Sequence, residues 1–149
     1  MTTAILISIL LILLTTGVRL AFFMVAAKFT LESKDFTWHR FFCLMLGIYI
    51  SHVFDIVVYA LAYYFAWHML EIGTLSEDRT DGLLGHFYAS AVMYTTIGFG
   101  DILPTGHLRF IASTQGLSGL LYLAWSASFI FAAMNRMLKD RNSSFERHR

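Results

Sequence analysis

Thr95-Thr96-Ile97-Gly98-Phe99-Gly100-Asp101 stands between two apolar segments and decides how the chain is read. Two glycines flanking one aromatic residue permit backbone angles that side-chain-bearing residues resist, so successive carbonyls can turn the same way. A row of carbonyls so arranged can replace the water shell of a bare cation. Glycines at this spacing also occur in ordinary turns, so the surroundings must decide between a turn and an ion path.

Of the 149 residues, 57% are hydrophobic and only 14% charged, and the apolar residues are gathered in blocks. That pattern points to a membrane protein rather than a soluble domain. The segment from Ala4 to Ala27 is apolar apart from threonines, Ser8 and Arg19. At 1.5 Å per residue it is long enough for a hydrocarbon core about 30 Å thick. No basic residue precedes it and it is too long for the core of a signal peptide, so a retained helix is expected. A second span is expected over 41–67, with Tyr59, Tyr63, Tyr64, Phe65 and Trp67 crowding its far end as interface aromatics. The stretch 83–94 is too short to cross a bilayer but long enough for a helix that dips in and stops. Thr80 or Asp81 is expected to cap its start. A final helix is expected over 108–135, uncharged from Phe110 to Met134. The chain thus divides into an N-terminal helix with its connection (1–40), a central unit (41–135) and a basic tail (136–149).

Charge sets the expected topology. The first connection carries Lys28, Lys34 and Arg40 against Glu32 and Asp35, and the tail is basic. The connection from Glu71 to Asp81 holds Glu71, Glu77, Asp78 and Asp81 against Arg79 alone. Basic loops stay in the cytoplasm, which puts the N-terminus and the dipping segment outside and the first connection and tail inside. Non-helical backbone at membrane depth is tolerated only where it is buried in protein or lines water. A spanning helix, a short helix, a glycine-bearing loop and a second spanning helix therefore read as a pore loop.

Tyr94 to Asp101, followed by Pro104 and Arg109, resembles the selectivity filter of potassium channels, with Ile97 for valine and Phe99 for tyrosine. The likeness in architecture covers about Phe41 to Met134. It implies an all-α membrane protein with three transmembrane helices. One is an extra N-terminal helix; the others are an outer helix (41–67) and an inner helix (108–135), with a re-entrant pore helix (83–94) and filter loop (95–101) between them. It also implies a homotetrameric pore of cyclic symmetry, because one chain offers one loop and the resembled filter is a ring of four. By the same resemblance Thr96, Ile97, Gly98, Phe99 and Gly100 form the potassium-binding filter. Thr95, turned toward the short helix, and Asp101 support it, and Tyr88 donates to the Asp101 carboxylate. The C-terminal end of the short helix would favour a cation through its partial negative charge.

Two positions depart from the family pattern. Phe99 lacks the hydroxyl of the commoner tyrosine, and Val92 stands where some members carry a carboxylate behind the filter. Both suggest a filter prone to slow inactivation at low potassium. Currents that hold steady through long openings there would count against this.

Gly119 sits near the family's hinge position, with Gly116 one turn earlier; close helix packing is the competing reading of both. Leu123, Ala127 and Phe131 recur every four residues and are expected to line the inner pore. Arg19 and Asp55, with His52 one turn away, are ionisable groups at similar depth and are expected to form a structural ion pair rather than a voltage or proton device. His68, His86 and His107 are expected near the outer surface, as polar anchors or as sensors of external pH. Cys43, the single cysteine, is expected to be a buried small hydrophobe.

The expected function is passive potassium conduction in a plasma or cell inner membrane. No catalytic residue, no cofactor beyond the permeant ion and no nucleic-acid partner is expected. Partners are other copies of the chain and membrane lipids, anionic ones at the basic tail. No ligand-binding gating domain is expected within a tail of this length. The rival readings are a poorly selective cation channel and a non-conducting membrane partner subunit; a membrane enzyme fits least, since no nucleophile with its base can be assembled from the spacing.

Overall fold

The computed structural model describes residues 1–31, 37–75 and 82–146. They form four helices: α1 (Thr2–Leu31), α2 (Trp38–His68), α3 (Leu83–Thr95) and α4 (Leu108–Glu146). The described residues contain no strand. Three helices, α1, α2 and α4, are long and apolar enough to cross a membrane. With 13 residues, α3 reaches only about 20 Å, short of a hydrocarbon core. The chain is an all-α membrane protein.

Polar residues inside α1 are accommodated locally. The hydroxyls of Ser8, Thr15 and Thr30 donate to the carbonyls of Ala4, Leu11 and Ala26, one turn back, at 2.8, 2.8 and 2.7 Å. Such back-bonding satisfies a hydroxyl without water. Helix limits extend past the expected ones: α2 starts at Trp38, and α4 continues beyond 135 into the basic tail. Thr80 and Asp81, the expected caps of α3, lie outside the described residues. The N-cap position itself is Gly82, at φ 89° and with no side-chain cap bond.

Packing sets the helix directions. Ala4 and Leu11 of α1 share an apolar cluster with Leu108 and Ile111 of α4, whereas Ala26 shares a second cluster with Ala133 and Met137. Contacts therefore advance together along both helices, and α1 runs parallel to α4. Ala26 also meets Leu44 and Ile48 near the start of α2, so α2 is antiparallel to both. The N-terminus consequently lies at the same end of the bundle as the loop 95–101, and the tail lies at the other.

Between these two apolar clusters lies a polar layer, described below. Cys43 is exposed on α2, which corrects the expectation of a buried residue. An apolar segment does not disclose which helix face turns inward, because lipid is as apolar as a protein core. For the same reason large side chains such as Leu10, Phe42, Leu117 and Phe131 are exposed on the single chain.

Candidate functional site

The loop 95–101 begins where α3 ends. Thr95 closes the helix, its hydroxyl donating to the Ala91 carbonyl at 2.8 Å, so this side chain faces back into α3. Thr96 is the C-cap, in the left-handed region at φ 55° and ψ 22°. A β-branched residue rarely occupies that region, and holding it there costs about 1–3 kcal/mol. Gly98 and Gly100 follow at φ 56° and 83°, while Ile97 and Phe99 between them do not have positive φ. Positive φ thus recurs at every second residue, 96, 98 and 100. Alternation of hand along a strand turns its successive carbonyls toward one side.

This loop is bare on one face. Ile97 is 58% and Phe99 68% exposed. A side chain built at Gly98 or Gly100 would meet nothing within 4 Å. Beside the loop lies an open cleft walled by Val92, Met93, Leu103, Ala112, Gly116 and Leu120, with Thr96 and Gly98 at its edge.

The far side of the loop is anchored. The phenol of Tyr88 donates to Oδ2 of Asp101 at 2.8 Å, which brings together the two residues expected to meet. Beyond it, Arg109 Nε donates to the Pro104 carbonyl at 3.1 Å. The chain after the loop is clamped to residues 72–74: Thr105 N–H donates to the Thr74 carbonyl at 2.8 Å and His107 N–H to the Ile72 carbonyl at 2.8 Å. Gly73 and Gly106 make that approach possible, since a Cβ at either would run into the opposing backbone. The clamp was not foreseen; a glycine beside a threonine on each side was its only trace.

Two buried polar clusters hold α3 in place. In the first, Gln115 of α4 donates through Nε2 to Ser90 Oγ at 2.7 Å and accepts from the Tyr63 phenol at 2.5 Å. Ser90 in turn donates to the Ile56 carbonyl at 2.7 Å. This tie between α2, α3 and α4 was also missed, although a lone glutamine in an apolar helix was a usable signal.

The second cluster forms the polar layer between the two apolar clusters. Arg19 and Asp55 are both buried and form the expected ion pair, Nη2 to Oδ2. Arg19 also donates to Ser51 Oγ at 2.7 Å, and its Nη2 lies 3.2 Å from both His52 Nδ1 and the Tyr94 phenol oxygen. Since an arginine can only donate, His52 Nδ1 is the acceptor and the ring proton sits on Nε2. That Nε2 is directed at Ser126 Oγ of α4, 2.9 Å away. The guanidinium also lies over the Tyr122 ring at 5.0 Å, and the Tyr122 hydroxyl contacts Thr16 at 2.6 Å. Removing one partner of a buried pair leaves an uncompensated charge and typically costs about 3–5 kcal/mol.

The remaining residues fall as follows. Gly119 lies against the Tyr94 carbonyl, where a Cβ would collide, while a Cβ at Gly116 would come within 3.3 Å of Thr96 Cγ2. Leu123, Ala127 and Phe131 are exposed along one stripe of α4, beside the buried Tyr122 and Ser126. His86 is fully buried in a ring cluster with Tyr64, Trp67 and His68, and its Nδ1 donates to the Gly82 carbonyl at 2.9 Å. His107 is exposed and apart from them. Among the described residues no group of three His, Cys, Asp or Glu side chains is arranged to hold a metal ion.

Residues 42–136 match the family model described as "Ion channel". The chain belongs to the ion channel family. The matched segment begins in α2 and ends in α4, so it includes α3 and the loop and leaves α1 outside. Over 102 residues the chain is 31% identical to the inward rectifier potassium channel Kirbac3.1 of Paramagnetospirillum magnetotacticum, covering 67% of this chain and 32% of that protein. It spans about a third of the length of that relative. The resemblance to potassium channels is thereby borne out at the level of family. No solved structure matches the chain.

Proposed function

We propose that the chain is one subunit of a potassium-selective channel whose filter is the loop 95–101, completed by four copies around one axis. The observation that carries this reading is the recurrence of positive φ at Thr96, Gly98 and Gly100 on a loop that its own chain leaves bare. A single loop supplies carbonyls to one side of an ion; a dehydrated cation needs them all round. The open cleft beside Thr96 and Gly98 supplies the wall against which a neighbouring copy closes. In this assembly the carbonyls of Thr96, Ile97, Gly98, Phe99 and Gly100 coordinate potassium, and Thr95, Tyr88 and Asp101 brace the loop. Leu123, Ala127 and Phe131 face the inner pore. The N-terminus and the loop are outside and the tail is cytoplasmic, beside anionic lipid headgroups. Conduction is passive, with no catalytic step.

The test is a potassium-flux assay on the purified full chain in liposomes, with barium as blocker and Gly98→Ala as control. Barium-sensitive flux that Gly98→Ala abolishes is the expected result. A Gly98→Ala protein that assembles and conducts like the parent overturns the filter assignment.

A poorly selective cation channel of the same architecture is the second reading. What favours it is Val92, a buried apolar residue in the wall of the cleft beside the loop, at the position where the resemblance puts a carboxylate in some members. Reversal potentials under opposed potassium and sodium gradients separate the two.

A further inference from the structure

Arg19 enters the protein interior from α1, outside the segment that the ion channel family shares. Its position is costly, because a guanidinium at membrane depth must find partners or distort its surroundings. It finds them on α2 and α3. Nη1 is held by Ser51, and Nη2 sits among the Asp55 carboxylate, His52 Nδ1 and the Tyr94 phenol oxygen. The same phenol lies 2.6 Å from His52 Nδ1 and 3.3 Å from Asp55 Oδ2. Three side chains from two helices therefore converge on one hydroxyl.

Tyr94 is the residue before Thr95, and its position controls where the loop begins. Its main-chain carbonyl rests against Gly119 of α4, and its side chain is gripped by the cluster. The residue is held at both ends, once by packing and once by the charge pair. Beyond it Thr96 carries the left-handed conformation that starts the alternation. Strain of that kind persists only where neighbouring structure over-determines it.

We propose that α1 is a filter-positioning element: Arg19, paired with Asp55, holds the Tyr94 phenol and thereby fixes the end of α3 from which the loop 95–101 departs. The inference rests on the reading of that loop as the filter. Arg19, Asp55 and Tyr94 are positioning residues, acting on the ion path through the Tyr94 main chain. His52, bonded to Ser126, extends the grip to α4, so the first helix governs the loop and the inner helix through one cluster. A voltage-sensing role fits less well, since Arg19 is already neutralised by Asp55 and no further arginine follows it in α1.

The experiment compares the full chain with Tyr94→Phe, Arg19→Gln and Arg19→Lys by two readouts. The first is amide hydrogen exchange in detergent, resolved for residues 95–101 and for the rest of the chain. The second is single-channel recording for open fraction and potassium-to-sodium permeability. Tyr94→Phe keeps the ring and removes only the hydroxyl, so it tests the grip even if Arg19→Gln fails to fold. The expected result for Tyr94→Phe is exchange accelerated several-fold within 95–101 only, together with a several-fold lower open fraction, and partial retention of both in Arg19→Lys. Exchange and openings unchanged in Tyr94→Phe overturn the proposal, as does a uniform loss of protection along the whole chain. A parent protein with no potassium flux at all overturns the filter reading, while the exchange data still decide whether Arg19 and Tyr94 hold the loop.

Discussion

Gly119 of α4 lies so close to Tyr94 that any side chain on it would run into the Tyr94 main-chain carbonyl. Helix α4 and the end of α3 are therefore packed backbone against backbone, as small residues allow in membranes. This favours packing over a hinge as the reason for glycine at 119. Forcing a methyl into such a contact costs about 1–3 kcal/mol. Gly119→Ala is expected to lower the thermal midpoint in detergent by that measure. Gly116→Ala, whose nearest neighbours are at 3.3 and 3.4 Å, is expected to be milder. A fully stable Gly119→Ala protein with altered opening would restore the hinge.

Tyr88 of α3 and Asp101, at the end of the loop 95–101, are joined by one hydrogen bond of 2.8 Å. A net contribution of about 0.5–1.5 kcal/mol is typical of such a bond. Tyr88→Phe is expected to leave folding intact and to speed the decay of current in low external potassium. Decay indistinguishable from the parent would show that the bond does not limit the stability of the proposed filter.

The Arg19–Asp55 pair separates stability from positioning. Arg19→Leu or Asp55→Leu alone strands a buried charge and is expected to destabilise the protein by about 3–5 kcal/mol. The double substitution removes both charges and is expected to recover most of that loss while leaving the loop less protected. Thermal midpoints and local amide exchange, measured on all three proteins, check this. Additive losses in the double variant would mean that the two charges are not coupled.

Gln115 ties three helices together at one buried amide. Gln115→Leu leaves the Tyr63 phenol without its acceptor and Ser90 without its donor. An unsatisfied buried polar group costs about 1–3 kcal/mol. The expected consequence is a lower thermal midpoint and weaker protection of α3, and Tyr63→Phe added to Gln115→Leu is expected to return part of it. No recovery in that pair would indicate that the phenol finds another acceptor.

Features set by residues close in sequence, or repeating at helical spacing, are legible in the sequence. The three spanning helices and the short helix between them followed from the lengths of the apolar blocks, and the left-handed demands at 98 and 100 from glycine. Tyr88 and Asp101 were legible as a pair through the resemblance to a family motif, and Arg19 and Asp55 through the rarity of charge in an apolar span. The threonine clamp at 74 and 105 and the Ser90–Gln115 tie were not, because single polar residues in loops or apolar helices have many possible partners. The outward position of Cys43 was misjudged because hydropathy does not separate a lipid-facing face from a core-facing one.

Composition and local chemistry thus determined by themselves that this is a helical membrane protein with a glycine-bearing loop between a helix too short to cross and one long enough to do so. The freedom of Gly98 and Gly100 to take positive φ is a property of those residues, and span length a property of one segment. Tertiary structure alone decided that α1 runs parallel to α4 and that its arginine reaches the residue from which the loop 95–101 starts. Those facts depend on which faces of separate helices meet, and in an apolar chain that choice rests on a few polar and small side chains finding one another.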